Sequence, residues 1–67
     1  MSPTRLSTLL KRRRDARGMT QAELAKKATV AQGYISALEA GEKRNPSVAV
    51  IKKLAKALGV PVTELLG

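Results

Sequence analysis

Two chemically versatile side chains are missing from this sequence of 67 residues, which has no cysteine and no histidine. Without cysteine there is neither a disulfide staple nor a thiolate metal site. Without histidine the commonest general base and the commonest transition-metal ligand are gone. Phenylalanine and tryptophan are also absent, leaving Tyr34 as the single aromatic residue. Modules for single-stranded nucleic acid or RNA stack bases on several rings, so those binding modes lose weight. No apolar run approaches the length of a membrane span, and no secretory signal pattern opens the chain. The expectation is a soluble, intracellular, single domain with no metal, no cofactor and no small-molecule ligand.

Acidic residues are scarce as well. Five Asp and Glu face thirteen Lys and Arg, for a net charge of +8. Such a field attracts polyanions: nucleic acid first, then an anionic membrane surface or an acidic protein. With few aromatic rings available, duplex DNA is the favoured polyanion. A membrane role is not expected, because the apolar faces are short and interrupted and the helices consume them in packing. An enzyme is not expected either. The five carboxylates are scattered over separate helices, and no glycine-rich loop could cradle a phosphate.

What is present is helical punctuation. Gly18, Gly41 and Gly59 each follow a helix-like segment, where a left-handed closing residue is favoured. No stretch alternates strictly between apolar and polar, so no strand is expected. The first helix runs from about Thr4 to Arg17, with Met1 to Pro3 as a loose end. Leu6, Leu9 and Leu10 give it an inward stripe that continues as Arg13, Arg14 and Arg17. Arg12 and Arg13 are open to a solvated role, whereas Arg14, one turn beyond Leu10, suits a partly buried ion pair.

The second helix, Gln21 to about Ala28, has the strongest local signature. Thr20-Gln21-Ala22-Glu23 fits a capping box, and Met19 and Leu24 are placed to form a hydrophobic staple across it. Leu24, Ala25 and Ala28 face inward, and the small Ala25 suits a close helix crossing. A short break at Thr29-Val30 leads to a third helix, about Ala31 to Ala40. Its inner arc holds Ile35 and Leu38, flanked by Ala31 and Tyr34. Its outer arc holds Gln32, Gly33, Ser36, Ala37 and Ala40, small residues that suit close approach to another surface. The fourth helix spans about Ser47 to Leu58, with Ser47 as N-cap after Pro46. Its core face is Ile51, Leu54, Ala55 and Leu58, with Lys52, Lys53 and Lys56 outside. A short fifth helix begins near Pro61 and carries Val62, Leu65 and Leu66. The fold class is all-α, five short helices around one small aliphatic core.

Two short helices joined by a tight turn have the dimensions of a helix-turn-helix. Residues 19–41, MTQAELAKKATVAQGYISALEAG, closely resemble the Cro/repressor-type, or Xre, helix-turn-helix family of phage and bacterial regulators. RGMTQAELA, YISALEAG and LAKALGVPVTELL fit that family's successive blocks, so the resemblance covers nearly the whole chain. It implies a compact four- or five-helix bundle whose third helix enters the DNA major groove.

The resemblance also implies roles residue by residue. Gln21 matches the glutamine that anchors a DNA phosphate at a helix N-terminus, and Gln32 the one that reads a base edge. Ser36 matches an outward position able to reach a base or a phosphate. Gly33 and Ala37 lie on the same base-reading face but replace longer polar readers. Specificity then rests on Gln32, methyl contacts by Ala37, and DNA shape. Lys43, Arg44 and Asn45 match a loop that grips the backbone, while Tyr34 is placed for either the core edge or a phosphate. Arg14 and Glu39 match a pair that bridges helices one and three.

Two departures bear on the turn. Thr29 stands where the family usually has glycine, so the turn is expected to differ locally from the left-handed form. Ala31 replaces the usual Ser or Thr cap of the third helix. The function implied is a sequence-specific, cytoplasmic DNA-binding regulator, a homodimer on an inverted repeat. Val62, Leu65 and Leu66 serve either as its dimer contact or simply to close the core. The competing expectation is an antitoxin or adaptor that uses the same fold to bind a protein partner.

Overall fold

The computed structural model describes residues 5–43 and 45–66. Met1 to Thr4, Arg44 and Gly67 lie outside the described residues, and with them the expected loose end and one of the loop cations. Five helices follow in order: α1 (Arg5–Ala16), α2 (Gln21–Ala28), α3 (Gln32–Glu39), α4 (Val48–Leu58) and α5 (Thr63–Leu66). No strand occurs among the described residues. Helix α3 is one residue shorter at each end than its apolar pattern suggested, because Ala31 and Ala40 act as its caps.

Helices α2 and α4 start where the sequence supplies a side-chain partner for the orphan amides. At α2 the box closes in both directions: the Glu23 amide donates to Thr20 Oγ1 at 3.1 Å, and the Thr20 amide donates to Glu23 Oε1 at 2.8 Å. The carboxyl of Glu23 is held below the usual carboxylate range, first by that backbone amide and then by the Thr20 hydroxyl. At α4 the Ser47 hydroxyl accepts from the Val50 amide at 3.2 Å. Helix α3 begins at Ala31 with no side-chain cap at all.

Leu10, Leu24, Ile35, Leu38, Leu54, Leu58 and Leu65 are withdrawn from solvent, so all five helices contribute to one core. With no large ring available, the volume is filled by branched aliphatics and by Ala25, Ala28, Ala55 and Ala57. The alanines let α2 approach both α3 and α4, its two main neighbours. Ser7 is buried beside Leu10, a small polar residue that apolar periodicity did not single out. Along α1 the stripe turns from apolar to cationic as it runs from the interior toward solvent, with Arg17 exposed. Arg13 pairs with Glu64 of α5, and Arg14 is nearly enclosed. Arg17 lies beside Gly59, its Nη1 3.0 Å from where a Cβ on Gly59 would stand. Gly59, left-handed at φ 69°, closes α4.

The turn between α2 and α3 corrects one expectation. Thr29 adopts the left-handed conformation itself, at φ 55° and ψ 46°, rather than rerouting the chain. A pair of closing hydrogen bonds holds it there. The Val30 amide donates to Ala25 O at 2.9 Å and the Thr29 amide to Lys26 O at 3.2 Å, the Schellman pattern. The Thr29 hydroxyl also donates to Ala28 O at 2.6 Å. Left-handed geometry costs a non-glycine residue roughly 1–2 kcal/mol. Here it is over-determined by the two helices packed on either side.

Candidate nucleic-acid interface

Helix α3 is anchored by its inner arc and open along its outer one. Ile35 and Leu38 are fully buried, while Gln32, Gly33 and Ala40 are exposed and Ser36 and Ala37 half-buried. A Cβ built on Gly33 would meet nothing within 4 Å, so internal packing does not require glycine there. From Gln32 to Glu39 the helix carries no Lys or Arg. Its outward face is therefore uncharged, with Gln32 as its long polar side chain.

Positive charge flanks this face. Lys43 follows α3 and places its ammonium 5.4 Å from the centroid of the Tyr34 ring, a cation–π contact. Tyr34 itself packs half-buried against the core, so both of its expected roles remain structurally open. Asn45 is exposed in the loop before α4, and Arg44 lies outside the described residues.

Beneath the outer arc runs a polar network joining three helices. Arg14 of α1 grips Glu39 of α3 with two parallel hydrogen bonds, Nε to Oε2 at 2.7 Å and Nη2 to Oε1 at 2.9 Å. Its third nitrogen, Nη1, donates to Met19 O at 2.6 Å, just ahead of the α2 cap. Gln21, the first residue of α2, donates from Nε2 to Glu39 Oε1 at 3.1 Å. The Ser36 hydroxyl donates to Gln21 Oε1 at 2.6 Å. Burial alone would push the Glu39 carboxyl up, but hydrogen bonds from Arg14 and Gln21 outweigh it and hold the group below its usual range. The bond to Glu39 in turn raises the pKa of Arg14 above its ordinary value.

These links join residues 14, 21, 36 and 39 into one unit. The Arg14 and Glu39 pairing could be anticipated; the two bonds at Gln21 could not. No local spacing pattern relates Gln21 to Ser36, and only the crossing of α2 over α3 brings them together. Among the apolar residues near the C-terminus, Leu65 is buried in the core and Val62 packs against it, which removes Leu65 as a dimer contact. Leu66 is the one left outside, at 62% exposure.

A family model described as helix-turn-helix matches residues 10–65. The chain belongs to this helix-turn-helix family. Over 55 residues it is 44% identical to the uncharacterized HTH-type transcriptional regulator y4dJ of Sinorhizobium fredii, covering 82% of this chain and 70% of the relative. It is 39% identical over 57 residues to the HTH-type transcriptional regulator SinR of Bacillus subtilis, covering 85% of this chain. The chain thus spans about half of SinR, 51% of its length. SinR has been solved in complex with DNA, and that structure superposes with a TM-score of 0.90 at 35% identity, covering 92% of this chain and 98% of that one. The restriction-modification controller protein C.AhdI of Aeromonas hydrophila gives a TM-score of 0.86 at 34% identity, covering 91% of each chain. No helix among the described residues is long and apolar enough to cross a membrane.

Proposed function

We propose that this chain is a sequence-specific duplex-DNA-binding transcriptional regulator. It works as a homodimer, each copy setting α3 in the major groove of an inverted-repeat operator. The observation carrying this reading is the outer arc of α3: an uncharged, small-residue helix face bearing Gln32, held by a buried ion pair and bordered by Lys43. Similarity to SinR, a regulator solved with DNA, supports it. On this reading Gln32 reads a base edge, as a glutamine amide can do bidentately at adenine. Gly33 and Ala37 let the helix lie close to the bases. Gln21, Tyr34, Lys43, Arg44 and Asn45 hold the sugar-phosphate backbone. Leu66, with the edge of Val62, offers apolar surface for the second copy. The site of action is the cytoplasm, where a bacterial or phage operator lies, and the protein needs no catalytic step.

One observation favours a second reading. SinR has also been solved as a complex with the SinI protein, so a protein partner is the alternative for a chain of this kind. Selection of bound duplexes from a random DNA library at moderate salt separates the two. Enrichment of a two-fold inverted repeat, with half-sites about one DNA turn or 34 Å apart, supports the regulator. Tight low-salt binding that enriches no sequence would overturn it and direct attention to a protein partner.

A further inference from the structure

The amide of Gln21 is gripped at both ends by residues of α3. Its orientation follows from the chemistry of the partners. An ionised carboxylate can only accept, so the amide nitrogen must face Glu39, 3.1 Å away. That turns the carbonyl oxygen toward Ser36, whose hydroxyl has to be the donor across 2.6 Å. The only strong acceptor of the amide is thus met from inside the protein. One N–H is spent on Glu39, and the other has no protein partner among the described residues. Gln21 is only half-buried and begins α2, where the helix's own free amides add donors of the same kind.

We infer that Ser36 is a positioning residue: with Glu39 it fixes the Gln21 amide so that its free N–H faces outward, tuned to an anionic oxygen acceptor such as a duplex phosphate. The inference deepens the DNA-binding reading above and rests on it for the identity of the acceptor. It also reassigns Ser36. A serine on the outer arc of α3 was expected to reach a base or phosphate directly, yet its hydroxyl is spent on α2. The phosphate contact made at α2 thereby depends on how α3 is seated, and the two helices engage a duplex as one piece. Glu39 has a second task, pairing with Arg14, so Ser36 is the member that can be removed without dismantling the core.

The test compares the whole protein with Ser36→Ala, Gln21→Ala and the double variant, on the preferred duplex and on unrelated duplexes. Ser36→Ala should weaken all duplexes by the same factor, roughly three- to tenfold, as expected for loss of one hydrogen bond. Base preference at every position should be unchanged, and the double variant should bind no worse than Gln21→Ala. A changed preference at one base pair would make Ser36 a base reader and overturn the proposal. So would losses that simply multiply in the double variant, since Ser36 would then act independently of Gln21. Side-chain amide resonances of Gln21 give a readout that does not need DNA. Titrated with inorganic phosphate, they should shift in the unmodified protein and much less in Ser36→Ala. If no duplex binds but this difference holds, the DNA reading fails and the positioning role stands. Equal shifts, or none in either protein, overturn the positioning role itself.

Discussion

Arg14 and Glu39, 25 residues apart in sequence, meet in a two-pronged ion pair whose side chains are only 11% and 4% exposed. A pair so enclosed is more informative about what happens when it is broken than about how much it adds. Removing one partner leaves the other charge poorly solvated, at a cost of about 3 kcal/mol or somewhat more. Glu39→Ala should therefore lower unfolding stability by roughly that amount in urea titrations. A loss within about 0.5 kcal/mol would mean that water replaces the partner easily.

The same pair sets an acid limb. The Glu39 carboxyl is held below its usual range in the fold, so the stabilisation is complete above the unfolded value, about 4.3. It drains away as pH falls from there through the lowered folded value. Glu39→Gln removes the titration, so the stability gap between the two proteins should narrow steadily as pH is lowered below about 4.3. A gap that stays constant down to acid pH would assign the limb to another carboxylate.

Thr29 pays conformational strain at the turn. Glycine in its place removes the left-handed penalty of about 1–2 kcal/mol but adds roughly 0.5–1 kcal/mol of unfolded-state entropy. Thr29→Gly should gain about 0.5–1 kcal/mol, a rise of a few degrees in Tm for a domain this small. An unchanged or lower Tm would show that the Thr29 hydroxyl bond to Ala28 O offsets the strain.

Ala31 leaves the first turn of α3 uncapped. Ala31→Ser supplies an acceptor for the free amides and should raise stability by about 1 kcal/mol. Thermal unfolding measures it directly, and the helix content by circular dichroism should not change.

Gly33 separates stability from binding. Its Cβ position is empty, so Gly33→Ala should stabilise α3 by about 0.5–1 kcal/mol through helix propensity alone. If α3 lies close in a groove, the same methyl should weaken the preferred duplex. Greater stability together with unweakened binding would place Gly33 away from the DNA.

Gln32 and Arg44 should differ in which duplexes their loss weakens. Gln32→Ala should cost about 1–3 kcal/mol on the preferred site and little on unrelated duplexes. Arg44→Ala should weaken all duplexes alike and flatten the salt dependence by about one unit. A uniform loss for Gln32→Ala would mark it as a backbone contact instead.

Much of the fold was legible because each helix announces itself locally. The capping box at Thr20, the Ser47 cap and the glycine after α4 each need only residues three or four apart. The inward residues of α2 follow from helical period alone. The turn was misjudged because propensity weighs Thr29 by itself, whereas its conformation is imposed by two helices closing around it. Arg13 with Glu64, and Gln21 with Ser36, escaped prediction for one reason. Each is a polar contact between distant helices, fixed by the crossing geometry and by no spacing in the chain. Leu65 and Leu66 show the limit at single-residue scale. A short terminal helix has too few turns for period to say which leucine goes in.

The outer arc of α3, free of Lys and Arg and bordered by Lys43, has a consequence for how such a domain responds to its surroundings. Ionic strength acts on the flanking charges and leaves the neutral arc almost untouched. On the proposed DNA-binding reading, salt should govern how long the protein stays on a duplex and scarcely touch which sequence it selects. A regulator so divided can be loosened everywhere by a change in ion concentration and still return to the same address.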